Sequence, residues 1–160
     1  MENVTYTRDV TDWSKSTQNK AYIAFLDFEK AFDMANWRYR DEVLRALGVP
    51  ERYIAMLRSL YNDASVKLIV NGKLSSVITQ GRGVRQGCPL SPFIFALLVE
   101  PLGELLRSHA AELGICLPKI ADDNSDAPLF MLVSQFADDT TIYCRHPALM
   151  LRALQLTGAN

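Results

Sequence analysis

The stretch Gln135-Phe136-Ala137-Asp138-Asp139-Thr140-Thr141-Ile142-Tyr143-Cys144 sets two carboxylates side by side among apolar, β-favouring residues. Neighbouring side chains of a regular strand face opposite ways, so adjacent aspartates can line one site only where the backbone reverses, at a tight hairpin turn. A bare Asp-Asp pair also suits a solvated turn tip. A third carboxylate, Asp27, closes the near-continuous apolar run Ala21-Tyr22-Ile23-Ala24-Phe25-Leu26. A lone anion at the end of a core strand is costly and needs a cation, a metal or the surface. A sheet holding that strand beside the hairpin would bring Asp27, Asp138 and Asp139 together. Hard oxygen ligands of this kind suit Mg²⁺, which takes one or two carboxylates and leaves positions for substrate phosphates. Two such ions about 3.5–4 Å apart can clamp the attacking and leaving oxygens of an in-line phosphoryl transfer. The loop Gly81-Arg82-Gly83-Val84-Arg85-Gln86-Gly87 adds backbone donors and cations for a triphosphate or a nucleic-acid strand. The chemistry these residues imply is metal-assisted nucleotidyl transfer.

The elements that must position them are legible to different degrees. Residues 1–20 are polar, with Val4, Val10 and Trp13 as a weak stripe predicting a helix before Ser14. The run from Ala21 to Phe28 reads as a central strand covered on both faces. Asn36 is a candidate cap for a helix with Trp37, Val43, Leu44 and Leu47 on one face, and Gly48 is its stop. Pro50 opens a second helix with Ile54, Leu57 and Tyr61 as its apolar face. The arginines and acids of residues 36–62 read as solvated faces. Asn71-Gly72 between Val66–Val70 and Lys73–Thr79 predicts a hairpin. Ser91 as N-cap and Pro92 at N1 start a long apolar helix from Phe93 to Leu106, with Pro101 expected to kink it. Residues 113–128 read as a connector with a short apolar piece at Ile115. The resulting class is α+β: a small antiparallel sheet backed by helices from 36–62 and 92–107.

Composition bounds the rest. At 160 residues, 49% hydrophobic and 22% charged, the chain matches an ordinary globular domain able to bury a core. No apolar run approaches the roughly 20 residues of a membrane span, and Met1-Glu2-Asn3-Val4-Thr5 lacks the pattern of a signal peptide. Cys88, Cys116 and Cys144 are spaced 28 residues apart, without metal-ligand spacing. They read as free thiols, which fits an intracellular location in cytoplasm or nucleus. The net charge of −1 argues against tight nucleic-acid binding by this chain alone. Lys67, Lys73, Arg82 and Arg85 nevertheless give the segment between Asp63 and Glu100, which holds no acid, a charge of +4.

Three motifs carry a resemblance. Phe25-Leu26-Asp27-Phe28-Glu29-Lys30-Ala31-Phe32-Asp33 resembles motif A of reverse transcriptases, residues 83–92 (Gly-Val-Arg-Gln-Gly-Cys-Pro-Leu-Ser-Pro) their motif B, and Phe136-Ala137-Asp138-Asp139 their motif C. The wording is closest to the non-LTR (LINE-type) retrotransposon enzymes, with group II intron enzymes next. The likeness spans about residues 20–145 in the family's order. It implies a polymerase palm-like fold and an RNA-directed DNA polymerase that extends a primer 3′-hydroxyl with dNTPs on an RNA template. It implies two Mg²⁺ ions, with Mn²⁺ able to substitute, held by Asp27, Asp138, Asp139 and the backbone carbonyl of Phe28. Phe32 would exclude a ribose 2′-hydroxyl, while Arg85, Gln86 and Gly87 would contact nucleotide and template.

Each role has a structural rival: Phe32 as core, Arg85 as a rim charge, Lys30 and Asp33 as a pair fixing the strand-to-helix turn. Asp122, Asp123 and Asp126 lack the pattern of a Ca²⁺ loop and read as a solvated connector. His109 and His146 read as surface residues. One palm domain is expected over 1–160, with fingers and thumb segments supplied by a longer chain or a partner. These residues alone are expected to be inactive, and apolar surface at Phe93–Leu106 would then favour self-association. The alternative is a catalytically silent remnant, or an RNA-binding, maturase-like module on the same fold.

Overall fold

The computed structural model describes residues 2–61, 64–117 and 128–158. They build two compact units, residues 1–28 with 99–160, and residues 29–98. The elements in chain order are α1 (Glu2–Thr17), β1 (Tyr22–Leu26), α2 (Ala31–Met34), α3 (Trp37–Ala46), α4 (Glu51–Tyr61), β2 (Ser65–Val66), β3 (Ile69–Val70), β4 (Lys73–Leu74) and β5 (Ile78–Thr79). There follow α5 (Ser91–Ser108), α6 (Ala110–Leu113), β6 (Ile115–Leu117), β7 (Leu129–Met131), β8 (Val133–Phe136), β9 (Asp139–Cys144) and α7 (Pro147–Thr157). The α+β class and the antiparallel pairing agree with the sequence reading.

The first unit is organised on a three-stranded antiparallel sheet in the order β1-β9-β8. The central strand is β9, and β1 lies at the edge. β9 pairs on both sides, Thr140 opposite Leu26 of β1 and Asp139 opposite Phe136 of β8, so β1 is not the central strand its apolar run predicts. Strand alternation sends Ala24, Leu26 and Ile142 to one face, where they pack with Leu102, Leu106, Leu113 and Ala153. Ile23 and Tyr143 go to the other, against Val10 and Trp13 of α1 with Ile115 and Met131. Thr7 Oγ1 and the Tyr143 hydroxyl, 3.0 Å apart, tie α1 to the sheet. The predicted connector, 113–128, holds β6, which pairs with β7 just past it, Ile115 opposite Met131. Asp122, Asp123 and Asp126 lie outside the described residues.

The second unit packs α3 on α4 around Leu44, Ile54, Leu57, Tyr61, Val84, Ile94 and Leu98. Asn36 caps α3 as expected, its side chain accepting from the amides of Arg38 and Tyr39. The hairpin at Asn71-Gly72 forms with both turn residues at positive φ, 50° and 76°, as its turn type demands. It splits into two short ladders, β3 with β4 and β2 with β5. The break is local: the Ser75 hydroxyl accepts the Leu68 amide at 2.9 Å, where a ladder would offer a backbone carbonyl. Ser91 is the first residue of α5, and its hydroxyl donates back to Arg85 O at 2.6 Å rather than capping the helix. The helix continues through Pro101 to Ser108. The solvated reading of residues 36–62 fails at Arg40 and Asp41, which are 2% and 7% exposed.

Candidate active site

β8 and β9 are joined by the two-residue turn Ala137-Asp138, closed by the pair Phe136 and Asp139. Ala137 sits at φ 52°, left-handed backbone that costs a non-glycine residue about 1–2 kcal/mol. The reversal leaves Asp138 half-buried in the turn and Asp139 exposed at the start of β9. β1 ends one pair short of them, with Leu26 opposite Thr140, so Asp27 follows at the same end of the same sheet. The backbone therefore assembles the three acids at one sheet end. The side chains are not gathered there. Asp139 lines a cavity of about 610 Å³ together with Phe25, Thr141, Arg8 and Lys15. Asp27 and Phe28 line a separate cavity of about 190 Å³ with Leu102 and Gly158. Asp27 stands beyond the last ladder pair, where strand alternation no longer dictates its direction.

Among the described residues, no three His, Cys, Asp or Glu side chains lie close enough to share an ion. The donor set fits Mg²⁺ in kind, since carboxylates and a backbone carbonyl are hard oxygen ligands at one sheet end. It fits in backbone register too, Asp27 following Leu26 at the sheet end where Asp138 and Asp139 turn.

The residues singled out for nucleotide and template form one cluster in the second unit. Phe32, Arg85, Gln86 and Gly87 line a cavity of about 490 Å³ with Cys88, Pro89, Ser91 and Pro92. Phe32 is half-buried, stacks on Phe95 with ring centroids 5.1 Å apart and packs against the unit's core. It is both a core residue and a cavity wall. The glycine loop is stapled to the segment after Asp27: Gly83 N donates to Ala35 O and Val84 N to Phe32 O, both at 2.7 Å. Trp37 Nε1 donates to Gly83 O at 2.7 Å. Gly83 has φ 93°, and a Cβ there would meet Asp33 O at 3.1 Å and Phe32 O at 3.2 Å. Only glycine allows that approach. Asp33 accepts from Gln86 Nε2 at 3.3 Å instead of pairing with Lys30, whose own backbone is left-handed at φ 51°.

Hydrogen bonds from Leu90 and then Ser91, aided by the charge of Arg85, hold the Cys88 thiol below its ordinary pKa against some desolvation. Burial alone pushes Cys144 up to about 11. All three cysteines are free. His109 is half-buried, its Nδ1 2.9 Å from Leu105 O, whereas His146 is exposed and its Nδ1 caps α7 by accepting the Ala148 amide at 3.2 Å. Sequence reasoning passed over Arg8 and Lys15, although two cations seven positions apart on a polar helix signal one face.

The family profile described as reverse transcriptase (RNA-dependent DNA polymerase) matches residues 2–159. The chain belongs to the reverse transcriptase family. Among its relatives, the Transposon TX1 uncharacterized 149 kDa protein of Xenopus laevis is 30% identical over 141 residues, covering 88% of this chain and 10% of that protein. The Retrovirus-related Pol polyprotein from type-2 retrotransposable element R2DM of Drosophila melanogaster is 31% identical over 142 residues, covering 89% of this chain and 12% of that protein. This reverse transcriptase chain thus spans about a tenth of the length of these relatives. In structure, an apo telomerase from Candida tropicalis, truncated from its C-terminal domain, superposes with a TM-score of 0.66 at 15% identity. That superposition covers 100% of this chain and 32% of the telomerase chain, and it shows the shared fold. No helix among the described residues is long and apolar enough to cross a membrane.

Proposed function

We propose that this reverse transcriptase chain carries the nucleotidyl-transfer site of a retrotransposon-type polymerase, adding dNTPs to a DNA primer 3′-hydroxyl on an RNA template. The observation that carries the reading is the sheet register: Leu26 opposite Thr140 and Phe136 opposite Asp139 put the ends bearing Asp27 and Asp138–Asp139 together. Asp27, Asp138, Asp139 and the carbonyl of Phe28 would hold Mg²⁺, with Mn²⁺ able to substitute. Two bound divalent ions would supply charge stabilisation for the attacking and leaving oxygens.

In the second unit, Arg85 and Gln86 bind the incoming nucleotide or the template, and the Asp33 carboxylate orients the Gln86 amide. Gly87, without a side chain, lets a ligand approach its backbone. The ring of Phe32, held by Phe95, sets the width of the cavity and is placed to exclude a ribose 2′-hydroxyl. The free thiols agree with an intracellular location. Fingers and thumb segments, from a longer chain or a partner, complete the grip on template and primer.

The test is Mn²⁺ titration calorimetry on wild type and Asp138→Asn, followed by primer extension on an RNA template with the longer protein. Metal binding and extension that both vanish in the variant support the reading. A folded longer protein that binds RNA equally well with either residue, and extends nothing, would establish the RNA-binding alternative instead.

A further inference from the structure

The second unit contains a cluster of guanidinium groups that the polymerase reading does not use. Arg40 is 2% exposed at its side chain, and its Nε and Nη2 both donate to Asp41 Oδ1, at 2.9 and 2.8 Å. Arg58 Nε donates to the other Asp41 oxygen at 2.6 Å, and Arg58 Nη1 to Glu51 at 3.3 Å. Arg45 grips Glu51 through two bonds of 3.0 Å. The connected network therefore holds three guanidinium groups and two carboxylates. One positive charge is in excess. Nη1 of Arg40 has no acceptor among the described residues. The group instead lies over the Tyr61 ring, 5.3 Å from its centroid. A buried cation with one edge unanswered keeps its field, because little water reaches it to screen the charge.

Beside this network lies a cavity of about 430 Å³, walled by Trp37 and Tyr61, the four arginines Arg38, Arg40, Arg45 and Arg58, and the acids Asp41 and Glu42. Both acids are already engaged, Asp41 by two arginines and Glu42 by Arg38 at 3.1 Å. Arg45 and Arg58, each 42% exposed, keep donors to spare: Arg45 spends Nε and Nη2 on Glu51, and Arg58 spends Nε on Asp41 and Nη1 on Glu51, which leaves its Nη2 free of those bonds. We propose that this cavity between α3 and α4 binds the phosphoryl group of a small phosphate ester. A phosphoryl group offers three acceptor oxygens, which can be shared among Arg38, Arg45 and Arg58, whereas a carboxylate offers two in one plane. Its charge answers the excess cation of the network, and Trp37 at the wall leaves room for whatever the phosphate is attached to. The site lies wholly in the second unit and does not depend on the polymerase reading.

Trp13 and Trp37 are the two tryptophans, so Trp13→Phe leaves Trp37 emission as a local reporter. The experiment titrates inorganic phosphate, a nucleoside 5′-monophosphate and acetate at matched ionic strength, following Trp37 emission and thermal midpoint. Saturable quenching and a raised midpoint with phosphate but not acetate are expected. The affinity should fall about tenfold or more in Arg58→Gln, the size of one lost charge-assisted hydrogen bond. Tighter binding of the monophosphate would point to a nucleotide as the source, and equal binding to free phosphate. No response in wild type, an equal response to acetate, or an unchanged affinity in a folded Arg58→Gln would each overturn the site. Arg40→Leu, checked for folding by circular dichroism, should also weaken phosphate binding, and an unchanged affinity there would overturn the role of the excess charge.

Discussion

Asp41 lies within the charged helix α3 and Asp27 closes an apolar strand, and the two units treat them in opposite ways. In the second unit Asp41 is nearly sealed, clamped by Arg40 and Arg58. Burial pushes its pKa up, but the hydrogen bonds from Arg58 and Arg40 outweigh that and hold the carboxyl below the usual range. In the first unit Asp27 is exposed at a strand end, Asp138 sits in a strained turn and Asp139 borders an open cavity. A carboxylate that has taken two guanidinium partners is committed to structure. Asp27, exposed at the sheet end, carries no such clamp among the described residues.

The comparison breaks most sharply on substitution. Asp41→Asn leaves Arg40 buried without a counter-charge and is expected to cost about 3–5 kcal/mol in urea unfolding. Asp27→Asn should change stability by less than about 0.5 kcal/mol while abolishing divalent-ion binding. A similar stability loss at both would erase the distinction. Replacing the buried pair together, Arg40→Leu with Asp41→Leu, should be neutral or stabilising, since two charges no longer need desolvation.

Gly83→Ala tests the staple between the glycine loop and the segment after Asp27. The strained φ and the contacts with Asp33 O and Phe32 O predict a loss of about 1–3 kcal/mol, read by the same unfolding curves. Gly87, with nothing within 4 Å of an added Cβ, meets only the backbone penalty of its φ of 79° and should lose less.

Acid sharpens the contrast through linkage. Because the folded pKa of Asp41 is lowered, its contribution to stability is complete above the unfolded aspartate pKa, near 3.9. It is lost as pH falls from there through the lower folded value. Unfolding free energy measured between about pH 5 and 2 should drop more steeply in wild type than in the double leucine variant. The smallest effect concerns the thiols. Iodoacetamide at pH 7.5 should label Cys88 well before Cys144, whose raised pKa and burial withhold the thiolate. Mass spectrometry of the digest reads the order.

Local chemistry was legible in the sequence wherever a few consecutive residues decide the outcome. The Asn36 cap, the Asn71-Gly72 turn, the apolar faces of α3 and α4 and the three motifs needed no knowledge of distant residues. What misled was context. Serine before proline at 91–92 reads as a cap, yet Ser91 bonds backward to the loop that tertiary packing brings near. Arg40 and Asp41 read as surface charges because their partner Arg58 sits on the next helix. Lys30 and Asp33 read as neighbours that pair, until Gln86 arrives from another segment.

The sequence by itself determined the kinds of ligand available, three carboxylates for cations and a glycine-arginine loop for anions, because residue type sets charge and hardness. It also determined the α+β class, because the period of apolar residues is a local property. Only the tertiary structure decided that β9, not β1, is central, and that Asp27 and Asp139 share a sheet end while facing different cavities. It also made an arginine-aspartate pair the buried heart of the second unit. Register, burial and charge pairing depend on residues far apart in the chain, and their energies exist only once those residues meet.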